Sequence, residues 1–330
     1  MRRIDYLDFA KGIAIISVLL GHIIDGYCWQ IVSSYHVFLF FIISGYFIST
    51  RDTLSDYAYK RGRSLLFPVV FGEALFVAVQ SCMFFFSKGS AGVVSFLKAY
   101  IDNRLGLNGT PINYHQGVLW FFWALFCSSL ILRVILKLKS KKLQFVSAAL
   151  SFVAGVALAR FLDIPFEIPA SLASVLYLYL GYNLKANKDR IKRFFTRYKT
   201  VATAAITVFS LVYMFTPFMH KVDFAFCDFL YVEDIFGPLI CVVFILMLSQ
   251  LATRKKNLPA TVINEIGKVS LYILIIHYCE MNTIDWMYLN SAFNIPVICI
   301  VLIRLAVILA LGYGLSRINL LRKIFGQKTV

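Results

Sequence analysis

The residues best placed to do chemistry lie in the first hydrophobic segment, LDFAKGIAIISVLLGHI, over residues 7–23. It opens with an acid and a base, Asp8 and Lys11, and carries His22 near its far end. Lys11 and His22 are eleven positions apart, about three helical turns, so in a helix both point to one face roughly 16 Å apart along the axis. Asp8 lies on that face one turn before Lys11. Ionisable side chains inside an apolar helix are rare unless they line a cavity or a pathway. A neutral imidazole, with an unperturbed pKa of about 6.5, can take a proton from an alcohol or thiol during acyl transfer. The structural alternatives are a buried histidine bonded to a neighbouring helix, and a helix-end ion pair whose lysine snorkels to the headgroups.

Further candidates follow along the chain. The tract YKRGRSLLFP (59–68) holds Lys60, Arg61 and Arg63; it reads either as a cytoplasmic flank or as a phosphate clamp, because guanidinium groups grip phosphate with two parallel bonds. FFIISGYF (40–47) contains Ser44 beside a glycine, which favours close helix packing, and YLYLGY (177–182) carries a similar glycine. LWFFWALF (119–126) reads as an interfacial aromatic belt, although Trp120 or Trp123 could line a sugar or acyl pocket. SLYILIIHY (270–278) puts His277 inside a second apolar run. Glu73 and Arg304 are isolated charges in apolar segments that need partners, most simply each other or a cavity.

The elements that must position these groups are membrane spans. The chain has 330 residues, 60% of them hydrophobic and 15% charged, with a mean hydropathy of +0.76. A soluble domain would carry about a quarter charged residues, so the expected class is an all-α polytopic membrane protein. A span needs about 20 apolar residues. Ten candidates appear, near 8–27, 35–50, 66–87, 117–136, 144–161, 168–184, 199–217, 232–252, 268–289 and 296–316. The second is short, and the ninth could break near 281–285. The stretch 88–116 reads as a long loop.

The net charge is +16, but the cations sit in short tracts between apolar runs, so no nucleic-acid role is implied. The basic connections (51–63, 137–142, 185–199, 254–256 and 317–328) alternate with neutral or mixed ones, which places both termini in the cytoplasm. Lys11 then lies near the cytoplasmic surface. His22, His36, His115, His220 and His277 fall in the outer half or near the midplane. The seven scattered cysteines form no CxxC pair and read as buried hydrophobes, not metal ligands. No cleavable signal, linker or repeat is evident, and a single membrane domain over 1–330 is expected, with no appended soluble domain.

The run RRIDYLDFAKGIAIISVLLGH resembles the first helix of the membrane-bound acyltransferase 3 family, whose hallmark is Arg or Lys, ten residues, then His. FF-x-x-SGY, the basic tract before LLFP, LW-x-x-x-AL, the Leu-Gly-Tyr of the sixth segment and GKVSLYILIIH of the ninth resemble family segments in the same order. One departure stands out: where the family has Arg-x-x-Arg, Arg61 and Arg63 are two apart and Ser64 takes the expected place. The resemblance implies about ten helices in a bacterial inner (plasma) membrane. It implies acetyl-CoA or another acyl-CoA as cytoplasmic donor and a hydroxyl of an envelope or exported polysaccharide or glycolipid as acceptor. It further implies that His22 is catalytic, as general base on the acceptor hydroxyl or in a relay that first passes the acyl group inward, that Lys11 is essential to the active helix, and that the basic residues before the third span contact the coenzyme. The expected protein is therefore an O-acyltransferase, a transferase of groups other than amino-acyl groups. The rival from another class is a transporter or flippase for a polysaccharide or lipid-linked sugar, where many spans and intramembrane charges are equally expected.

Overall fold

A computed structural model describes residues 5–24, 26–105, 107, 117–161, 167–217, 221–255 and 257–327, without the side chains of 290 and 291. His115 and His220 lie outside the described residues. Among the described residues the structure is all-helical, with no strand. The first helices are α1 (Asp5–Ile23), α2 (Tyr27–Ser33), α3 (His36–Tyr46) and α4 (Leu54–Leu105). After a short 3-10 turn over Gly117–Leu119 come α5 (Trp120–Ile135), α6 (Lys141–Phe161), α7 (Ile168–Ala186), α8 (Lys188–Arg197) and α9 (Lys199–Phe215). The chain continues through α10 (Glu233–Ala252), α11 (Leu258–Lys268), α12 (Ser270–Thr283), α13 (Trp286–Phe293), α14 (Val297–Ser316) and α15 (Asn319–Ile324).

Every one of the ten expected segments falls on a helix, but the count of spans does not follow directly. Among the described residues seven helical segments are long and apolar enough to cross a membrane, counting α2 and α3 together as one, or up to nine if the bent pairs α8–α9 (98°) and α11–α12 (72°) each count as one. Helix α7 is not among them, because its serines and terminal Asn183 and Lys185 dilute the apolar run. Its face from Ala170 to Gly181 is largely buried in protein, so it does not need a lipid-compatible surface all round. The ninth segment does break as expected, at 284–285 between α12 and α13.

The chain divides into two compact units, one of Met1–Ala58, Ala124–Ile164 and Ile168–Ser270, the other of Tyr59–Trp123, Pro165–Glu167 and Leu271–Val330. In the first, two helix crossings rest on reciprocal glycines. A Cβ on Gly45 would stand 2.0 Å from the Leu178 carbonyl oxygen, and one on Gly181 would stand 2.0 Å from that of Ile42, which brings α3 against α7 backbone to backbone. The same device joins α1 to α11: a Cβ on Gly12 would meet Ile263 O at 2.0 Å, and one on Gly267 would meet Asp8 O at 1.8 Å. Helix α11 begins sharply because the Asn257 side chain accepts the Ala260 N–H at 2.8 Å, with Pro259 in the first turn.

In the second unit, α4 corrects the reading of 88–116 as a loop. The helix breaks at Gly89 (φ 67, ψ −163) and continues to Leu105. The second limb folds back on the first: Phe96 stacks on Phe84 at 5.2 Å, Tyr100 lies 6.1 Å from Phe76, and Arg104 reaches Glu73. These pairs are spaced evenly about Gly89, which is the pattern of a helical hairpin. Only glycine adopts the backbone angles of its apex without strain.

Candidate functional site

Helix α1 presents the expected polar stripe. Lys11 Nζ lies 2.6 Å from Asp8 Oδ1, with the lysine side chain 25% and the aspartate 10% exposed. The other carboxylate oxygen, Oδ2, has no hydrogen-bond partner among the described residues. The Gly267 backbone pressed on Asp8 and the Ile263 backbone pressed on Gly12 bracket this pair, so α11 fixes the turn that carries it. Halfway along α1, Ser17 Oγ and Tyr35 OH share a 2.5 Å hydrogen bond that ties the helix to the turn before α3. His22 is exposed in the last turn. Its neighbour Gly21 has Val32 Cγ2 2.8 Å from where a Cβ would stand, so α2 packs on this turn of α1.

His277 has the opposite setting. It is fully buried on α12, with Nδ1 3.3 Å from Glu280 Oε2, one turn on. The other oxygen of Glu280 accepts from Arg304 Nε on α14 at 2.7 Å, and the guanidinium stacks 5.3 Å from the Trp286 ring centroid. Glu73 has a separate partner set. Arg104 lies 2.8 Å from its Oε1, Tyr100 OH donates to its Oε2 at 2.6 Å, and Arg104 also donates to Tyr278 OH at 3.3 Å. Glu73 and Arg304, which the sequence offered as partners for each other, are therefore each neutralised locally by a different residue.

The residues of the basic tract differ in setting. Arg63 donates from its guanidinium to the carbonyls of Lys323 and Ile324, the last turn of α15. That turn closes with Gly326 at φ 69, Gly326 N–H to Lys323 O and Gln327 N–H to Arg322 O. A cation at a helix C-terminus is favoured by the dipole as well as by the free carbonyls. Lys60 is exposed and Arg61 half-buried. Ser44 is half-buried in α3 beside the Gly45 crossing, and Trp120 and Trp123 are half-buried one turn apart at the start of α5. Among the described residues no group of three His, Cys, Asp or Glu side chains could hold a metal ion.

Sequence reasoning missed Arg104, Glu280 and Arg133. Val93, Phe96, Leu97 and Tyr100 recur at helical spacing and could have revealed the limb that carries Arg104. Glu280 follows His277 by three residues, a same-face spacing that was visible. Arg133, buried on α5, donates to Asp52 O at 2.5 Å and lies over the Tyr57 ring at 5.1 Å; nothing in the sequence pointed to that partnership.

No solved structure matches the chain. Two curated relatives do: a nodulation protein NolL of Mesorhizobium japonicum, 28% identical over 162 residues (44% of this chain, 40% of the relative), and a nodulation protein NolL of Sinorhizobium fredii, 29% identical over 143 residues (38% and 35%). The chain thus spans about two fifths of the length of the first relative and 35% of the second. The family described as "Acyltransferase domain", Acyl_transf_3, matches residues 4–317. That match takes in α1 with its Asp8–Lys11 pair and exposed histidine, the basic tract, and all but the last residues of the helical chain. With a family model that takes in residues 4–317 and helices long and apolar enough to cross a membrane, the chain belongs to the acyltransferase 3 family.

Proposed function

We propose that the protein is an O-acyltransferase that carries an acyl group, acetyl as the first candidate, from cytoplasmic acyl-CoA to a hydroxyl of an envelope or exported polysaccharide or glycolipid. The observation that carries this reading is the α1 stripe, an exposed imidazole on the same helical face as a salt-bridged lysine. The alternation of basic loops supports an orientation with both termini in the cytoplasm, in the bacterial inner membrane that the family resemblance implies. The Lys11 end of α1 then faces the donor side and His22 the acceptor side.

In this reading neutral His22 removes the proton from the acceptor hydroxyl. The oxygen attacks the thioester carbonyl, the carbon–sulfur bond breaks, and the departing CoA thiolate takes the proton back from the imidazolium. Lys11, held by Asp8 about three turns before His22, supplies positive charge at the donor end of the stripe, where it meets the anionic coenzyme and not the reacting carbonyl. Exposed Lys60 and half-buried Arg61 offer cations to the coenzyme phosphates, while Arg63 holds α15 in place beside them in the sequence of the tract.

The test is His22→Gln, which keeps size and hydrogen bonding but has no titratable nitrogen. Purified variant should bind acyl-CoA and unfold at the temperature of the parent, yet transfer acyl groups about a hundredfold more slowly or worse, the usual scale of general acid–base catalysis. A variant with near-parental turnover would remove His22 from the mechanism. A chain that neither binds nor turns over acyl-CoA, with His22 intact, would return the flippase reading.

A further inference from the structure

Helix α8 has no buried residue and packs with its chain neighbours α7 and α9. Its sequence, KDRIKRFFTR, holds five basic residues against one acidic. At about 100° per residue, Ile191, Phe194, Phe195 and Tyr198 just beyond the end fall within one arc of roughly 100°. Lys188 and Arg190 flank that arc on either side, and Lys192, Arg193 and Arg197 fill the rest of the circumference. The rings cluster, with Phe194 5.8 Å from Phe195 and 5.2 Å from Tyr198, yet Phe194 is 53% and Tyr198 46% exposed. The axis turns 98° from α9, the apolar helix that follows. With α9 across a bilayer, the axis of α8 runs along its surface.

We propose that α8 is an in-plane helix that binds anionic phospholipid, seating Ile191, Phe194 and Phe195 at the boundary of headgroups and acyl chains and pairing its cations with lipid phosphates. A short basic helix with a narrow aromatic face is the form that lies in an interface. A cation near an anionic surface strengthens its binding by about fivefold. A nucleic acid would use the cations but leave the apolar arc in water, so the aromatic residues favour lipid. Bound in this way, α8 sets the depth at which α9 enters the membrane.

The experiment uses the full chain in vesicles of equal parts phosphatidylcholine and phosphatidylglycerol, with one lipid or the other brominated on its acyl chains. Phe194→Trp places a fluorescent reporter on the arc, read as the difference from the parent with its native Trp29, Trp120, Trp123 and Trp286. Position 194 is exposed, so the variant should fold. Brominated phosphatidylglycerol should quench the introduced indole more strongly than brominated phosphatidylcholine. Adding Arg190→Gln and Lys192→Gln should clearly weaken that preference, by about fivefold for each cation near the surface, while five neighbouring cations at 185, 188, 193, 197 and 199 keep the orientation of the chain. An introduced indole that neither lipid quenches would show that α8 does not meet the membrane and overturn the proposal. Equal quenching by both lipids, unchanged in the double variant, would reduce α8 to a hydrophobic contact and overturn it equally. Nucleic acid co-purifying with the parent and lost from the double variant, with lipid preference unaltered, would assign the cations to that partner instead.

Discussion

His22 and His277 look alike in sequence, each inside an apolar run, and the structure gives them opposite surroundings. His22 is exposed in the last turn of α1, on a face whose other charges pair with each other one turn apart. His277 is sealed in α12 against Glu280, which Arg304 holds from α14. A histidine that handles a substrate proton must be reachable by the substrate, whereas a buried imidazole within a carboxylate–guanidinium array is placed to hold helices in register. Intramembrane charge alone does not tell these apart; what surrounds the charge does.

The contrast can be broken most forcefully at Glu280. Glu280→Ala would leave the Arg304 guanidinium and His277 buried without their carboxylate, and removing one partner of a buried pair costs about 3–5 kcal/mol. Thermal unfolding in detergent should show a large drop in the midpoint; unfolding at the parental temperature would mean that the array does not hold α12 to α14.

The two histidines should also part company when each is changed to glutamine. His22→Gln should lose turnover by about a hundredfold and keep its stability. His277→Gln should lose about 1–3 kcal/mol of stability through an imperfectly matched buried group, with turnover per folded molecule within a few-fold of the parent. The reverse pattern would move the catalytic assignment to α12.

Lys11 tests whether the stripe needs a cation or merely an ion pair. Lys11→Ala should reduce turnover by about tenfold or more, the scale of one lost contact to a charged group, and Lys11→Arg should retain part of it because the charge persists. Equal activity in both variants would leave the pair a helix-end ornament of α1.

The smallest effect is expected in the basic tract, and it separates two roles. Lys60→Gln with Arg61→Gln should weaken acyl-CoA binding several-fold, measured calorimetrically at low salt where surface charges are least screened. Arg63→Gln should leave that affinity in place and lower stability by about 0.3–1 kcal/mol, the worth of a cation at a helix C-terminus. If Arg63→Gln were instead the variant that loses affinity, the guanidinium would belong to the coenzyme and the cap to a resting arrangement.

Much of this was legible in the residues because membrane helices announce themselves by composition and local spacing. Long apolar runs, the 3.6-residue period that aligns Asp8, Lys11 and His22, and the glycines of SGY and LGY are all properties of short stretches of chain. Gly45 and Gly181 do make the close helix approach that small residues allow. The number of spans was less legible, because α7 is covered by protein and so need not be apolar throughout, and because α8–α9 and α11–α12 bend at junctions that hydropathy does not see. The limb after Gly89 was misread as a loop for a related reason: with Lys98, Asp102 and Arg104 among its apolar residues, it does not read as a span, and its helix shows only where it packs back on the limb before it.

What only the tertiary structure decided is which charge meets which. Composition required partners for Glu73, Arg304 and His277 but could not supply them, since Glu73 finds Arg104 across a fold-back and Arg304 finds Glu280 from another helix. The same holds for Arg63, whose guanidinium ends on a carbonyl 260 positions away. Sequence spacing determines neighbours within a helix because the helix repeats every few residues. Contacts between helices depend on how backbones cross, and those crossings here are set by where glycine lets two backbones touch.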